Sequence, residues 1–157
     1  MSNIKVIEKT SKKPGKNIVI LAGVHGNESF GCKILDKLIP QLKISTGKVT
    51  FIYANLKAIK QNKRYIDFNL NRCFLIPQPK KIIDSLEGKT AKEIMPYLNK
   101  ADIMLDIHAS TIKNSVPFII CQPHSFNFAK SLPFKIISYN WDKFEKGGTD
   151  FYMNLQK

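Results

Sequence analysis

The sequence has few of the features that mark secreted or membrane proteins. Its three cysteines, Cys32, Cys73 and Cys121, are odd in number, widely spaced and without a Cys-x-x-Cys pair. This pattern argues against a disulfide framework and favours free thiols in a reducing compartment. No apolar run approaches the roughly 20 residues that cross a bilayer, and the N-terminus lacks the apolar core of a signal peptide. We therefore expect a soluble, cytoplasmic protein with no membrane partner.

Arginine is also scarce. Of the 25 basic residues only two are arginine, Arg64 and Arg72, and both lie in one short segment. A guanidinium binds a carboxylate through a planar fork for which lysine is a poor substitute, so this placement indicates an anionic substrate. The alternative is that the two arginines form surface ion pairs.

The formal net charge of +13 suggests a nucleic-acid partner as one hypothesis. The lysines, however, are scattered over the predicted helices, turns and loops, and no alternation of basic and aromatic residues marks a base-stacking surface. A solvated, lysine-rich surface explains the charge, so we expect no nucleic-acid partner.

The order of apolar segments predicts an α/β fold. With 157 residues, 43% of them hydrophobic, the chain suits one domain over residues 1–157. Strands are predicted at 18–24, 48–54, 102–107, 116–121 and 134–138, and helices at 28–39, 80–100 and 148–155. The run at 18–24 is continuously apolar, as in a strand covered on both faces. It predicts the centre of a mixed, mainly parallel sheet with helices on both faces.

Local patterns add three expectations about packing. A short strand at 4–8, followed by a Pro-Gly turn, is expected to form an edge hairpin with the central strand. Apolar residues of the helix at 28–39 recur at helical spacing and predict its buried face; they are Phe30, Ile34, Leu35 and Leu38. Thr90 and Glu93 have the spacing of a capping box, which predicts a helix start at Thr90.

A histidine and a glutamate follow the central strand. His25 and Glu28 lie in Gly23-Val-His25-Gly-Asn-Glu28, where the glycines let the backbone turn sharply. Open α/β sheets bind ligands at the carboxyl ends of their strands. An imidazole and a carboxylate held by such a turn suit a first-row metal. The alternative is a turn in which His25 and Glu28 only cap the next helix.

A second histidine ends another predicted strand. His108 follows the apolar run 103–107, which we interpret as a buried strand, and Asp106 lies on the same strand face, where it could orient the imidazole. Taken alone, His108 could be a buried, satisfied histidine. Together, His25, Glu28 and His108 predict a site for one zinc ion, because catalytic zinc has three protein ligands. His124, in a polar and aromatic stretch, is interpreted as a surface or loop residue.

Residues 55–79 form a long polar segment without clear periodicity. Loops of this length within compact domains are usually functional or disordered. This one carries Asn55, Arg64, Tyr65, Asp67, Asn71 and Arg72. We therefore expect it to contribute to a functional site.

Three motifs, taken together, resemble a known family. They are Gly23-Val-His25-Gly-Asn-Glu28, then Asn55-Leu-Lys-Ala58 with Arg64-Tyr-Ile-Asp67-Phe-Asn-Leu-Asn71-Arg72-Cys-Phe74, and then Asp106-Ile-His108. In order and spacing they are similar to the aspartoacylase and succinylglutamate desuccinylase family, relatives of the zinc carboxypeptidases. The middle motif is long and specific.

The resemblance implies a zinc-dependent amide hydrolase with a zinc carboxypeptidase-like fold. His25, Glu28 and His108 would hold one zinc ion, which polarises an amide carbonyl and activates water. Arg64 would stabilise the oxyanion that forms on the carbonyl.

The resemblance also implies the substrate class. Asn71 and Arg72 would bind the free carboxylate of a small anionic N-acyl amino acid. One position departs from the family pattern, because the second acid of its Asp-x-Asp is Asn69 here. This change removes a negative charge near the arginines.

A second departure concerns the general base. Family members carry a catalytic Glu on a later strand, so it is expected beyond Lys157, and the chain is expected to lack this C-terminal part. Glu145 is the one weak candidate for the base within the chain. Two alternatives to a deacylase stay open: a carboxypeptidase-like metallopeptidase, and a catalytically silent protein that binds metal and ligand.

Overall fold

The computed structural model describes residues 2–110 and 112–156. The strands in this part of the chain are β1 Lys5–Thr10, β2 Asn17–Ala22, β3 Lys48–Tyr53, β4 Ile103–Ile107, β5 Phe118–Cys121 and β6 Ile136–Tyr139. The α-helices are α1 Ser29–Gln41, α2 Leu56–Lys60, α3 Lys80–Ile83, α4 Leu86–Leu98, α5 Phe126–Lys130 and α6 Thr149–Leu155. Single 3-10 turns lie at Leu70–Arg72, Pro123–Ser125 and Trp141–Lys143.

Four strands form the main sheet in the order β1-β3-β2-β4. β2 pairs in parallel with both β3 and β4, whereas β1 is antiparallel to β3. The prediction of a mixed, mainly parallel sheet with the first apolar run at its centre is therefore confirmed.

The predicted hairpin between the first strand and the central strand is wrong. β1 is an edge strand, but it pairs with β3, with Lys5 opposite Tyr53 and Thr10 opposite Lys48. Both sides of β2 are taken by its parallel neighbours, so β1 cannot pair with it and lies instead on the free side of β3. The turn after β1 thus carries the chain past β3 to reach β2.

Helices cover both faces of this sheet. On one face, Val19 and Leu21 of β2 pack in a core with residues of α4 and α6. On the other face, Ala22 packs with Leu35 and Ile39 of α1. Neighbouring strand residues point to opposite faces, so one continuously apolar strand supplies both cores.

The buried face of α1 differs from the predicted one. Its buried residues are Gly31, Cys32, Leu35 and Ile39, whereas Phe30 and Leu38 are exposed. The helical period is correct, but the face is rotated by one residue. Gly31 explains this rotation, because it brings the helix against Ile107 and Ala22 of the sheet, where a Cβ would lie only 3.0 Å from the Ile107 side chain.

The predicted helix at 80–100 is two helices, and the predicted capping box is wrong. Asp84 and Ser85 separate α3 from α4, and the Ser85 hydroxyl caps α4 by accepting from the Gly88 N–H. Thr90 lies inside α4, is fully buried and donates to the Leu86 carbonyl. The Thr90 hydroxyl also accepts from Asn3 Nδ2 at 2.9 Å, so it is used within the helix and its spacing to Glu93 has no capping function.

Residues 118–139 contain a second, smaller sheet, whereas α6 returns to the core of the main sheet. β5 and β6 pair in parallel as a two-stranded sheet, separate from the main one. The predicted strand before His108 is confirmed as β4, but it lies at the edge of the main sheet and is not fully buried: Leu105 is 46% exposed. None of the helices in the described residues is long and apolar enough to cross a membrane.

Candidate functional site

The site lies where three parallel strands end side by side. In the strand register, Ala22 of β2 lies between Tyr53 of β3 and Ile107 of β4. The residues that follow these strand ends include His25 and His108. Parallel pairing therefore brings to one edge two histidines that are far apart in the sequence.

A tight turn places His25 and Glu28 on this edge. Gly23 adopts a positive φ of 72°, and the Glu28 N–H donates to the His25 carbonyl at 3.0 Å. Gly26 lies so close to α2 that a Cβ there would be 2.1 Å from the Ala58 carbonyl carbon. Glu28 occupies the N-cap position of α1 but makes no side-chain cap hydrogen bond. The interpretation of the pair as helix caps is therefore wrong, and the carboxylate faces the histidines.

His25, Glu28 and His108 form one cluster. One ligand atom from each lies within 4.8 Å of the others. His25 Nδ1 is 2.8 Å from Glu28 Oε1, and His108 Nδ1 is 3.1 Å from Glu28 Oε2. The side chains of His25 and Glu28 are 4% and 6% exposed, whereas that of His108 is 34% exposed. The cluster is thus buried at His25 and Glu28 and open to solvent at His108.

The outer nitrogen of each imidazole is held by a separate acceptor. Nε2 of His25 lies 3.0 Å from Asn69 Oδ1, and Nε2 of His108 lies 3.1 Å from Asp106 Oδ2. In the neutral form of each ring, which is the form that binds a metal, a proton on Nε2 leaves the Nδ1 lone pair directed towards Glu28. His25 Nδ1 is buried and, although it lies 2.8 Å from Glu28 Oε1, it has no partner with hydrogen-bond geometry among the described residues. Two lone pairs and a carboxylate that converge in this way fit a divalent metal ion.

The charges around His108 also favour a cation. Burial would lower the pKa of His108, but the charge of Asp106 and the contacts with Asp106 and Glu28 raise it to about 10. Burial would raise the pKa of Glu28, whereas its contacts with His108, His25 and the Ala109 N–H hold it well below the usual range. Two ionised carboxylates therefore face His108. The negative charge of Asp106 and Glu28, which favours a proton on the His108 ring, also favours a metal ion in place of that proton.

Arg64 lies at the rim of the cluster. Its Nη1 is 3.0 Å from Glu28 Oε1, and its side chain is 46% exposed. The Arg64 carbonyl also accepts from the Gly26 N–H at 3.2 Å, which ties this loop to the histidine turn. A guanidinium has five N–H donors, so this contact leaves further donors that a ligand above the cluster could use.

Glu87 organises the loop between Arg64 and Asn69. It is fully buried, and its carboxylate accepts from the backbone N–H groups of Ile66, Asp67 and Phe68 at 2.7 to 3.0 Å. Asn55 Nδ2 adds a fourth hydrogen bond at 3.1 Å.

Glu87 is a residue of the site that the sequence alone does not predict. Its one signal is an acid in the first turn of the helix that follows a long polar loop. That signal is too common to single out one residue, because Glu in a first helical turn is ordinary.

Asn71 and Arg72 meet the segment that leads into α6. Nη1 of Arg72 donates to the Asn71 carbonyl at 2.7 Å, and its Nη2 pairs with the Glu145 carboxylate. The Thr149 N–H donates to Asn71 Oδ1 at 3.4 Å. Glu145, the weak candidate for the general base, therefore forms an ion pair with Arg72. His124 lies in an exposed 3-10 turn and is not part of the metal-type cluster.

Comparison with known proteins identifies relatives of this chain. A family model for the succinylglutamate desuccinylase/aspartoacylase catalytic domain matches residues 14–139. A curated protein named probable aspartoacylase, from Acaryochloris marina, is 30% identical over 123 residues, which is 71% of this chain and 41% of the relative. A succinylglutamate desuccinylase from Pseudoalteromonas atlantica is 38% identical over 90 residues, or 52% of this chain and 25% of the relative.

A solved structure shares the fold. The succinylglutamate desuccinylase from Vibrio cholerae matches with a TM-score of 0.76 at 21% identity, over 94% of this chain and 49% of that structure. This fold is zinc carboxypeptidase-like, as the motifs implied. The chain spans about half the length of this structure, and less than half that of the two curated relatives.

Proposed function

Since the chain belongs to the succinylglutamate desuccinylase/aspartoacylase family, we propose that it is a zinc-dependent hydrolase of small anionic N-acyl amino acids. His25, Glu28 and His108 would hold one zinc ion. The observation that carries this proposal is the convergence of both Nδ1 atoms on the Glu28 carboxylate while each Nε2 has its own acceptor.

Zinc held there would supply a Lewis acid for the amide carbonyl and would lower the pKa of water to about 7. The side chains of the cluster are suited to this task because they keep a fixed geometry. Asn69 and Asp106 each hold one imidazole ring, and the Ala109 N–H donates to Glu28 Oε2 at 2.8 Å.

Arg64 would stabilise negative charge on the substrate carbonyl oxygen. Its guanidinium is already oriented by Glu28 and reaches the open side of the cluster. Preorganised donors of this kind act on charge that develops in the transition state, and removing one costs about 2.7–4 kcal/mol of activation free energy in a hydrolase.

Asn71 and Arg72 would bind the free carboxylate of the substrate. The Arg72 guanidinium already pairs with a carboxylate, that of Glu145, which supports the view that this position suits an anionic group. The substrate carboxylate would take the place of Glu145. The Thr149 N–H holds Asn71 Oδ1, so the Nδ2 donors of the same amide can face the substrate.

Metal content is the first test of the proposal. We expect one zinc per purified chain, measured by elemental analysis after dialysis in zinc-replete buffer, and loss of that zinc in the double variant His25→Ala, His108→Ala. His124→Ala is the matched control, since it removes a histidine from outside the cluster. A wild-type chain that takes up no zinc would overturn the proposal.

Substrate assays then separate the alternatives. We expect the chain to bind acetylated or succinylated acidic amino acids more tightly than dipeptides, and any turnover to follow the same preference. The reverse preference would favour the carboxypeptidase-like function. Zinc and ligand binding without turnover, measured by calorimetry, would favour a binding protein.

A further inference from the structure

Thr149 connects α6 to the metal-type cluster. It is the first residue of α6 and is 2% exposed. Its hydroxyl donates to Asp106 Oδ2 at 2.7 Å, and the same oxygen lies 3.1 Å from Nε2 of His108. The other carboxylate oxygen, Asp106 Oδ1, is buried and has no hydrogen-bond partner among the described residues. Asp106 Oδ2 therefore carries both contacts, one with the Thr149 hydroxyl and one with Nε2 of His108.

The Thr149 hydroxyl is held in place by the packing of its helix. Tyr152 and Met153 of α6 are buried in the core shared with β2 and α4. The Tyr152 hydroxyl donates to Asn99 Oδ1 at 2.7 Å, which fixes the helix against the end of α4. A side chain on such an anchored helix has little freedom to follow movements of Asp106.

The same residue also touches the substrate side of the site. Its backbone N–H lies 3.4 Å from Asn71 Oδ1, and the preceding Gly148 is packed so closely that a Cβ there would be 3.2 Å from the same oxygen. Thr149 thus contacts both parts of the site. Its hydroxyl binds Asp106, which holds His108, and its backbone N–H binds Asn71, which is proposed to hold the substrate.

We infer that Thr149 is a positioning residue that fixes Asp106 and, through it, the ring of His108 for metal binding. This inference rests on the proposed function, in which the cluster holds zinc. Partners of metal-bound histidines typically contribute 10- to 100-fold to metal affinity. Thr149 contacts Asp106 and not the histidine itself, so we expect its hydroxyl to change zinc affinity by about tenfold, at the lower end of this range.

Two variants separate the hydroxyl from the shape of the side chain. Thr149→Val keeps the shape and removes the hydroxyl, whereas Thr149→Ser keeps the hydroxyl and removes a methyl group. Zinc dissociation constants are measured by competition with a chromophoric chelator. We expect Thr149→Val to bind zinc about tenfold more weakly than the wild type, and Thr149→Ser to stay within about twofold.

Two further readouts exclude a purely structural effect. Cobalt(II) replaces zinc, and its visible absorption reports ligand geometry; we expect the spectrum to change in Thr149→Val and to return in Thr149→Ser. Thermal unfolding of the metal-free variants measures any loss of fold stability.

The outcomes are distinct. Zinc binding by Thr149→Val within about twofold of the wild type, or equal weakening in both variants, would overturn the role of Thr149. A wild-type chain that binds no zinc would instead overturn the proposed function on which this role depends.

Discussion

The side-chain oxygen of Asn69 lies 3.0 Å from Nε2 of His25, a residue 44 positions earlier in the chain. The same oxygen accepts from the Asn71 N–H at 3.0 Å. The two imidazoles of the cluster therefore have unlike partners: a neutral amide holds His25, and a carboxylate, Asp106, holds His108. A carboxylate makes a histidine a stronger metal ligand than an amide does, so His25 is the ring that a single substitution can improve.

Changing Asn69 to Asp should strengthen zinc binding. The new carboxylate would accept from His25 Nε2 and raise the basicity of its Nδ1, and we expect an affinity about tenfold higher. Asn69→Leu removes the acceptor and should weaken binding by about tenfold or more. Chelator competition measures both.

The exposed Asn127 of α5 provides the control for charge alone. Asn127→Asp adds the same negative charge elsewhere on the surface and should leave zinc affinity unchanged. Zinc binding that is unaffected by Asn69→Asp and Asn69→Leu would show that Asn69 does not orient His25.

Removing the charge of Glu87 should destabilise the fold. In Glu87→Gln, an amide NH₂ replaces one of the two oxygens that receive backbone N–H groups at the loop 66–68, so at least one donor loses its partner. An unpaired buried donor costs about 1–3 kcal/mol, and we expect a loss of about 2 kcal/mol in the free energy of unfolding. Urea titration followed by circular dichroism measures it.

Glu93→Gln is the matched control for Glu87. Glu93 lies on the same helix but is only partly buried. Its substitution should change the unfolding free energy by about 0.5 kcal/mol or less. Equal effects of the two substitutions would mean that the loop contacts of Glu87 contribute little.

Adding one methyl group at Gly26 should disrupt the site. The Cβ of Gly26→Ala would meet backbone atoms of Ala58 and Ile59 at 2.1 and 2.4 Å, and backbone cannot move aside as a flexible side chain can. We expect a loss of about 2 kcal/mol or more in stability, and weaker zinc binding, because α2 and the histidine turn must separate.

The exposed neighbour Asn27 tests whether any change in this turn has the same effect. Asn27→Ala should leave the midpoint of thermal unfolding nearly unchanged. If Gly26→Ala also unfolds at the wild-type temperature, the close approach of the turn and α2 is not a constraint on the fold.

Removing the charge of Glu145 should improve the binding of anionic substrates. Glu145 occupies the Arg72 guanidinium that the substrate carboxylate is proposed to use, and both side chains are partly exposed. Exposed ion pairs contribute about 0–1 kcal/mol, so Glu145→Gln should tighten binding by at most about fivefold. Calorimetric titration with an acetylated acidic amino acid measures this change.

Glu8→Gln gives the control for net charge, since Glu8 pairs with Lys48 on the main sheet. It should leave substrate affinity unchanged. Weaker binding in Glu145→Gln would instead assign Glu145 a direct role in holding the substrate.

The sequence predicted those parts of the fold that depend on local pattern. The apolar run that became β2 was continuous, and this continuity reflects burial on both faces. The sequence also placed His25 and His108 after two predicted strands, and parallel pairing at the carboxyl end brings them together. Here a local pattern and one rule of sheet geometry were sufficient.

The sequence did not predict features that depend on contacts between distant segments. Phe30 has the spacing of a buried residue, but the close approach of Gly31 to the sheet turned another face inward. The predicted partner of β1 is wrong because a hydrophobic pattern identifies a strand but not the strand beside it. Glu87 is ordinary in sequence, and only the tertiary structure shows that three backbone N–H groups converge on it.

The pairing of β4 with β2 also determines when the site can form during folding. Glu28 and His108 are 80 residues apart, and their approach requires the loop between the two strands to close, which is slow relative to local helix formation. A chain in which β4 has not yet docked has the turn of His25 but no complete cluster. If the cluster holds zinc as proposed, metal uptake during refolding would report the docking of β4, and a bound ion would stabilise only chains that have completed that step.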